Sequence, residues 1–418
     1  MIRRLRALAE VTPPGRDRYA DLLRVASIAV VVLGHWTIAA VRRSPDGLAA
    51  GNLLSTTPWL WPATWVLQVV PVFFVVGGFA NLVSWRAIRR RGGGYVEYLS
   101  GRLRRLLRPV LAFAAAWLVL PSVLDAAGVP AGQVRLVGKV MGQPLWFLAV
   151  YLVVSALAPA MVRLHRRFRL WVPAALVAAA AAVDALRFAG LGRVGYLNMV
   201  VVWALVQQVG FFYADGTLAR LSRRRLAGLA AAGLAALAVL TGLGPYPASM
   251  VGLPGEDSNM TPPTICILAL TVWQVALLML ARGPVSAWLA RRGPWTAVVA
   301  AGSMAMTLYL WHLTALVALY GLVAAAGGPL PDPGTGPWWA TRPLWLASAA
   351  LVLVPPALAL SRLERPARAR PRRPSGAWPS SSAWSWPPSA CSGSWSKGSR
   401  PCSTRRAAGS RSRTSARW

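Results

Sequence analysis

Ten stretches of apolar sequence constrain this chain more than any motif in it, because each is near the length of about 20 residues that a helix needs to cross a bilayer. They fall at 22–41, 60–84, 109–127, 144–162, 170–188, 194–212, 226–243, 262–281, 303–325 and 343–361. A water-soluble core cannot absorb them: 56% of the 418 residues are hydrophobic and 14% are charged. Spanning helices can absorb such a composition. The expected fold is all-α, a polytopic membrane helical bundle of about ten transmembrane helices. The first stretch does not read as a cleaved signal peptide, since no small-residue cleavage site follows and its polar face would make a poor signal core.

Basic residues give an independent reading of topology. The segment before the first stretch and every second loop carry 5, 8, 4, 4 and 3 Lys or Arg; the loops between carry 2, 2, 2, 0 and 1, with Arg187 at a span edge included. Positive residues accumulate on the cytoplasmic side, so both termini are expected inside, in a multi-pass protein of the plasma membrane. The net charge of +33 then needs no nucleic acid as a partner. Of the 45 basic residues, 24 lie in the cytoplasmic segments and 13 from Arg362 onward, where anionic lipid headgroups attract them. Cys266, Cys391 and Cys402 have no metal-type spacing and form no disulfide framework, so no metal site is expected.

Within the first span, RYADLLRVASIAVVVLGHW (18–36) combines a cation, an anion and a histidine with an otherwise apolar run. Arg24 and His35 are eleven residues apart. Eleven steps of 100° come within about 20° of three full turns, so both side chains leave one helix face, about 16 Å apart along the axis. Packing accounts exist: Arg24 as a snorkelling anchor, Asp21 as its partner one turn away, His35 as a hydrogen-bonded packing group. Ionisable groups inside a membrane are expensive, however, and usually line a substrate or proton path.

Residues 1–17 form a basic arm ending in the turn signal Pro13-Pro14-Gly15. In the second span, Gly77-Gly78 of PVFFVVGGFAN admits another helix or a ligand close to the backbone. The most basic loop leads into the third span, where Arg102, Arg105 and Arg108 recur every three residues in RLRRLLRP. That cluster is either an ordinary positive-inside signal or a seat for a polyanion, whose phosphate oxygens guanidinium forks match in pairs. PLWFLAVYL (144–152) supplies Trp146 and Tyr151, which also suit an interface belt. The external loop 244–261 has no basic residue and groups Glu256, Asp257, Ser258 and Asn259. It either meets a polar acceptor or is simply solvated. His312 lies nine residues past Ser303, about 13 Å into the ninth span, at a depth similar to His35 on a span running the same way. Tyr309, three residues earlier, is placed to orient its imidazole.

Taken in order, DLLRVASIAVVVLGH with its Arg-x10-His spacing, FFVVGGF, the Arg-x-x-Arg of RLRRLLRP, LWFL, SMAMTLYLWH and the closing LERP at 363–366 resemble the integral-membrane acyltransferase 3 family. The resemblance extends over most of 18–366. It implies an O-acyltransferase acting on glycans, lipids or antibiotics, with cytoplasmic acyl-CoA as co-substrate and an external acceptor; acetyl-CoA is the expected donor and no bound cofactor is expected. It further implies His35 as the essential histidine, Arg24 as its paired arginine, and Arg102 and Arg105 as the conserved pair that holds the donor. His312, Tyr309, Asp21 and Asn259 are further candidates for substrate contact or relay. Relatives often carry Ser where Gly77 stands, so a hydroxyl role there is lost, and no soluble esterase-like domain is expected after the last span.

Two chemical forms fit these residues: direct transfer, with His35 taking the proton of the acceptor hydroxyl, and transient acylation of a histidine, with His312 as its external half. From other classes, a transporter or flippase for an anionic or lipid substrate would also use midplane histidines and arginines, and a non-catalytic sensor would use His35 for packing or pH sensing. The halves of the chain show no obvious internal repeat, which counts against the transporter. Residues 367–418 form a low-complexity basic tail expected to be disordered; the abrupt change in composition after LERP also suits a shifted reading frame. The Ala-, Arg- and Gly-rich composition suits a high-GC bacterium.

Overall fold

The computed structural model describes residues 10, 12–13, 15–45, 47–360 and 362. Most of the N-terminal arm, the LERP segment and the tail lie outside the described residues. Among the described residues, ten segments are long and apolar enough to cross a membrane: Arg18–Ile38, Ala63–Arg90, Tyr95–Ala126, Ala131–Phe168, Trp171–Phe188, Gly192–Ala214, Arg223–Gly242, Ile265–Leu289, Ala305–Ala325 and Gly336–Leu360.

In chain order, α1 (Arg18–Ile38) is followed by a hairpin of β1 (Ala39–Ser44) and β2 (Gly47–Asn52). Then come the short α2 (Ala63–Leu67), α3 (Val70–Arg90), α4 (Tyr95–Ala126), α5 (Ala131–Phe168), α6 (Trp171–Phe188) and α7 (Asn198–Ala214). The remaining helices are α8 (Arg223–Gly242), α9 (Ile265–Leu289), α10 (Arg292–Gly302), α11 (Ala305–Ala325) and α12 (Gly336–Leu360). Successive spans cross in alternating directions. The arginine-rich loops therefore share the face at which α1 begins, termed the basic face below; the opposite face is the far face.

The hairpin is not anticipated by hydropathy. Ala39 pairs with Asn52 and Ser44 with Gly47, antiparallel throughout. Its Arg43 Nη2 donates to the carbonyls of Ala324 and Gly328 at 3.3 and 3.1 Å, which ties the hairpin to the end of α11 and the turn after it.

Interior and peripheral helices differ in burial. The most apolar windows of the spans containing α3, α5, α7, α9 and α11 are 44% to 67% buried, against 11% to 22% for α4, α6, α8 and α12. The backbones of α3 and α7 approach closely. A Cβ on Gly78 would collide with the carbonyl oxygen of Gln207, and one on Gly210 with that of Val75, so small residues set this interface as they do in other membrane bundles. Gly77 meets a side chain instead: its Cβ would stand 2.8 Å from Cε2 of Tyr151. Beside this contact, Asn81 Nδ2 donates to Gln207 Oε1 at 2.6 Å and to Ser155 Oγ at 3.3 Å.

The second span is broken between α2 and α3. The break lies just before Pro71, which has no N–H, and the carbonyls it leaves free inside the membrane need other donors. Gln274 of α9 supplies them, its Nε2 donating to Trp65 O and Gln68 O at 2.9 Å each.

Asp17 fixes where α1 begins. Its Oδ1 accepts the Ala20 amide at 2.9 Å as an N-cap, and its Oδ2 accepts the Tyr213 hydroxyl at 2.8 Å and Arg282 Nη2 at 3.2 Å. One carboxylate thus ties α1 to α7 and α9. Asp17→Ala removes the cap and leaves a phenol and a guanidinium without their acceptor. A loss of about 2–3 kcal/mol follows, seen as a lower unfolding midpoint in detergent; Asp17→Asn recovers the cap and part of the loss.

Candidate functional site

Helices α1 and α11 run side by side, and each brings one histidine to their contact. His35 Nδ1 lies 2.7 Å from His312 Nε2, with the ring planes 6° apart. His312 Nδ1 lies 2.6 Å from the carbonyl oxygen of Tyr309, one turn earlier on the same helix. A carbonyl can only accept, so His312 Nδ1 carries the proton and its Nε2 is the acceptor. His35 therefore donates through Nδ1, and its Nε2 keeps a free lone pair. His312 is fully buried, whereas His35 is partly exposed. Among the described residues no hydrogen-bond partner is found for His35 Nε2.

The pair is tied from both sides. Trp36 Nε1 donates to the carbonyl of His312 at 2.9 Å, and the Tyr320 hydroxyl donates to the carbonyl of Ala39 at 3.1 Å. Tyr309 contributes its main chain to His312; its hydroxyl goes to the carbonyl of Pro144 on α5 at 3.0 Å.

His35 lines a cavity of about 580 Å³. Along α1 the wall runs from Ser27 to Ile38, about 16 Å of helix. The broken second span, the Gln143–Phe147 part of α5, Met306 and Tyr309 of α11, and far-face loop residues such as Leu53 and Val251 complete it. Among the described residues, no charged side chain lines it. His312 stands behind His35, outside the wall.

The arginines form a second group near the basic face. Arg102 Nη2 donates to the Ala80 carbonyl at 2.8 Å, and its guanidinium lies 5.7 Å from the Tyr98 ring centroid. Arg105, one turn on, is exposed and feels the charges of Arg24, Arg102 and Arg16. The carboxylate in this group is Asp21, which accepts from Arg16 Nε at 2.5 Å and Arg24 Nη2 at 3.0 Å. Arg24 Nε is buried without a hydrogen-bond partner. Ser27, the deepest lining residue of α1, is one turn beyond Arg24, so the cavity approaches the arginine group from within.

Of the residues singled out in the sequence, His35, His312 and Tyr309 come together, as do Arg24, Asp21, Arg102 and Arg105. Asn259 joins neither group. It is buried, its Nδ2 donating to the carbonyls of Pro247 and Ser249 at 2.6 and 3.0 Å and its Oδ1 accepting from Thr264 at 2.7 Å. Its amide closes the 244–261 loop, with both nitrogen and oxygen engaged there. Tyr309 meets the imidazole through its carbonyl and not through its phenol. Gln68, Gln274 and Asp17 were not singled out; for Asp17 the signal available was an acidic residue just before an apolar periodic run.

Tyr309→Phe keeps the carbonyl and the ring. The imidazole ¹⁵N shifts that report the His35–His312 bond stay in place, while stability falls by about 1 kcal/mol for the hydrogen bond lost at Pro144.

Neither a curated protein nor a solved structure matches the chain. The model of one protein family, described as an acyltransferase domain, matches residues 17–361. That match takes in every span, His35, His312, Arg24, Arg102 and Arg105, and the chain belongs to the acyltransferase 3 family of membrane acyl-transferring enzymes.

Proposed function

We propose that the enzyme moves an acyl group, acetyl in the simplest case, from cytoplasmic acyl-CoA to a hydroxyl of a glycan, lipid or metabolite on the other side of the plasma membrane. The observation that carries this reading is the chain from the Tyr309 carbonyl through His312 to His35, which leaves an unpaired imidazole nitrogen at the wall of a cavity. By the bias of basic residues, the basic face is cytoplasmic and both termini are inside. Arg24, Arg102 and Arg105 then hold the phosphates of the donor, since clustered guanidinium ions gain from a polyanion.

In the reaction, His35 Nε2 takes the proton of the acceptor hydroxyl as its oxygen attacks the thioester carbonyl. The tetrahedral intermediate collapses with cleavage of the C–S bond, and the imidazolium returns its proton to the departing CoA sulfur. His312 is a positioning residue: it accepts from His35 Nδ1 throughout, which steadies the ring and favours its charged form. No separate proton store is needed.

The test uses purified protein in nanodiscs with radiolabelled acetyl-CoA and a panel of hydroxyl acceptors. His35→Ala lowers transfer by about 10²- to 10⁴-fold, the usual contribution of a general base. His312→Ala lowers kcat by about one to two orders of magnitude, on the scale of other groups that orient a histidine, with donor affinity unchanged; His312→Asn, which still offers an acceptor, recovers part of it. Arg102→Ala and Arg105→Ala each raise the KM for acetyl-CoA about tenfold or more, as loss of a charge-assisted contact requires. Equal transfer by folded wild type and His35→Ala would remove the proposed base.

A further inference from the structure

The acyl-transfer reading leaves the acceptor open among glycan, lipid and metabolite, and the cavity wall narrows the choice. We infer that the acceptor is an amphiphile, a hydroxyl-bearing headgroup on a hydrocarbon chain, which enters from the bilayer with its chain in the cavity and its hydroxyl at His35. The inference rests on the acyl-transfer reading of the same site.

The first support is the chemistry of the wall. Several of its polar side chains are engaged already, and Ser27, Gln143 and Thr261 are the remaining hydroxyl and amide groups. Thr37 donates to the Leu33 carbonyl at 2.8 Å; Thr64 donates to the Trp61 carbonyl at 2.5 Å and accepts the Met250 amide at 2.9 Å. Gln68 donates to the Met250 carbonyl at 3.0 Å. A bare sugar needs a partner for each hydroxyl it buries, and groups buried without one are disfavoured. What the wall does offer is hydrocarbon and aromatic surface, with Val31, Val70, Phe73 and Trp146 among it.

The second support is the rim. Leu67 and Trp339 line the cavity yet are 54% and 37% exposed, and the neighbouring Trp59 and Val66 are 71% and 61% exposed. These large apolar side chains stand at the starts of the second and tenth spans, the level at which aromatic belts meet a bilayer. A mouth built this way is open to lipid. The third support is volume: about 580 Å³ is the size of a site for a whole small molecule, and an acetyl group alone would leave most of it without contacts. A long acyl chain on the donor would also fill it. However, the lining reaches the far-face loops at Leu53 and Val251, on the side away from the arginine group, which favours the acceptor.

The test uses the full chain in nanodiscs and an octyl glucoside carrying a diazirine in its alkyl chain, below micellar concentration. After irradiation, mass spectrometry is expected to find adducts on the α1 and α2–α3 segments that line the cavity. Unlabelled octyl glucoside suppresses them at least tenfold, and methyl glucoside does not. Val31→Trp, which fills the cavity, abolishes them while adducts around the exposed Leu118 of α4 persist; Val70→Phe serves if Val31→Trp does not fold. With labelled acetyl-CoA, octyl glucoside is acetylated at least 100-fold more efficiently than methyl glucoside, well within the roughly fourfold per methylene that burial allows.

An unlabelled cavity, or labelling indifferent to the filling variants, would overturn the inference. So would labelling that palmitoyl-CoA displaces and octyl glucoside does not, since the chain site would then belong to the donor. Cavity labelling with no acetyl transfer to any acceptor would keep the amphiphile site and remove the acyl-transfer reading. Acetylation of methyl glucoside with an unlabelled cavity would do the reverse.

Discussion

A hydrogen bond between two imidazoles has a direction only if something outside the pair supplies one, and here the Tyr309 carbonyl does so. Inside a helix that oxygen already accepts from the main chain; its second lone pair is free to take the Nδ1–H of His312. From this one acceptor the rest follows in order: the tautomer of His312, the donor role of His35 Nδ1, and the free lone pair on His35 Nε2. The arrangement holds only while α1 and α11 keep their register. Trp36 and Tyr320 lock that register near the histidines, and Asp17 locks the other end of α1 against α7 and α9. The groups that fix His35 are thus spread over both ends of a single helix.

Much of the fold was legible because spanning segments are a one-dimensional property of the chain. All ten were marked, and the differences lie where hydropathy cannot tell one apolar conformation from another. The first stretch was read to residue 41, but the helix ends at Ile38, because Ala39-Ala40-Val41 pairs with the segment ending in Asn52. The second was read as continuous, yet it breaks at Gln68–Val69, just before Pro71, and Gln274, some two hundred residues away, satisfies the freed carbonyls. No local pattern encodes that compensation.

The site was legible to the same depth. Spacing placed Arg24 and His35 on one face, since both lie on one helix, and gave His35 and His312 similar depths. It could not give their contact, which depends on how two helices pack, nor the atom through which Tyr309 acts. Asn259 marks the opposite limit. Polar residues in a row suggest a solvated loop, but this amide is buried and engaged at both its nitrogen and its oxygen. Composition reports which groups a loop contains and is silent on which of them the loop needs for itself.

Helix α1 is a wall shared by two environments of opposite character. At its start, Arg24 stands among other guanidinium groups with Asp21 as the nearby carboxylate; from Ser27 onward its inner face borders a cavity without a charged side chain among the described residues. The like charges at the first end repel one another, and a polyanion would relieve that repulsion. At the second end the apolar wall is relieved by hydrocarbon. A ligand suited to one end is poorly suited to the other, so on the proposed reading donor and acceptor would be sorted between the ends without a dedicated gate. On the proposed reading the two occupants overlap only near His35, about 16 Å along the helix from Arg24. The base is then available to a hydroxyl and a thioester together, and a bilayer-embedded cavity limits the water that would otherwise compete for the acyl group.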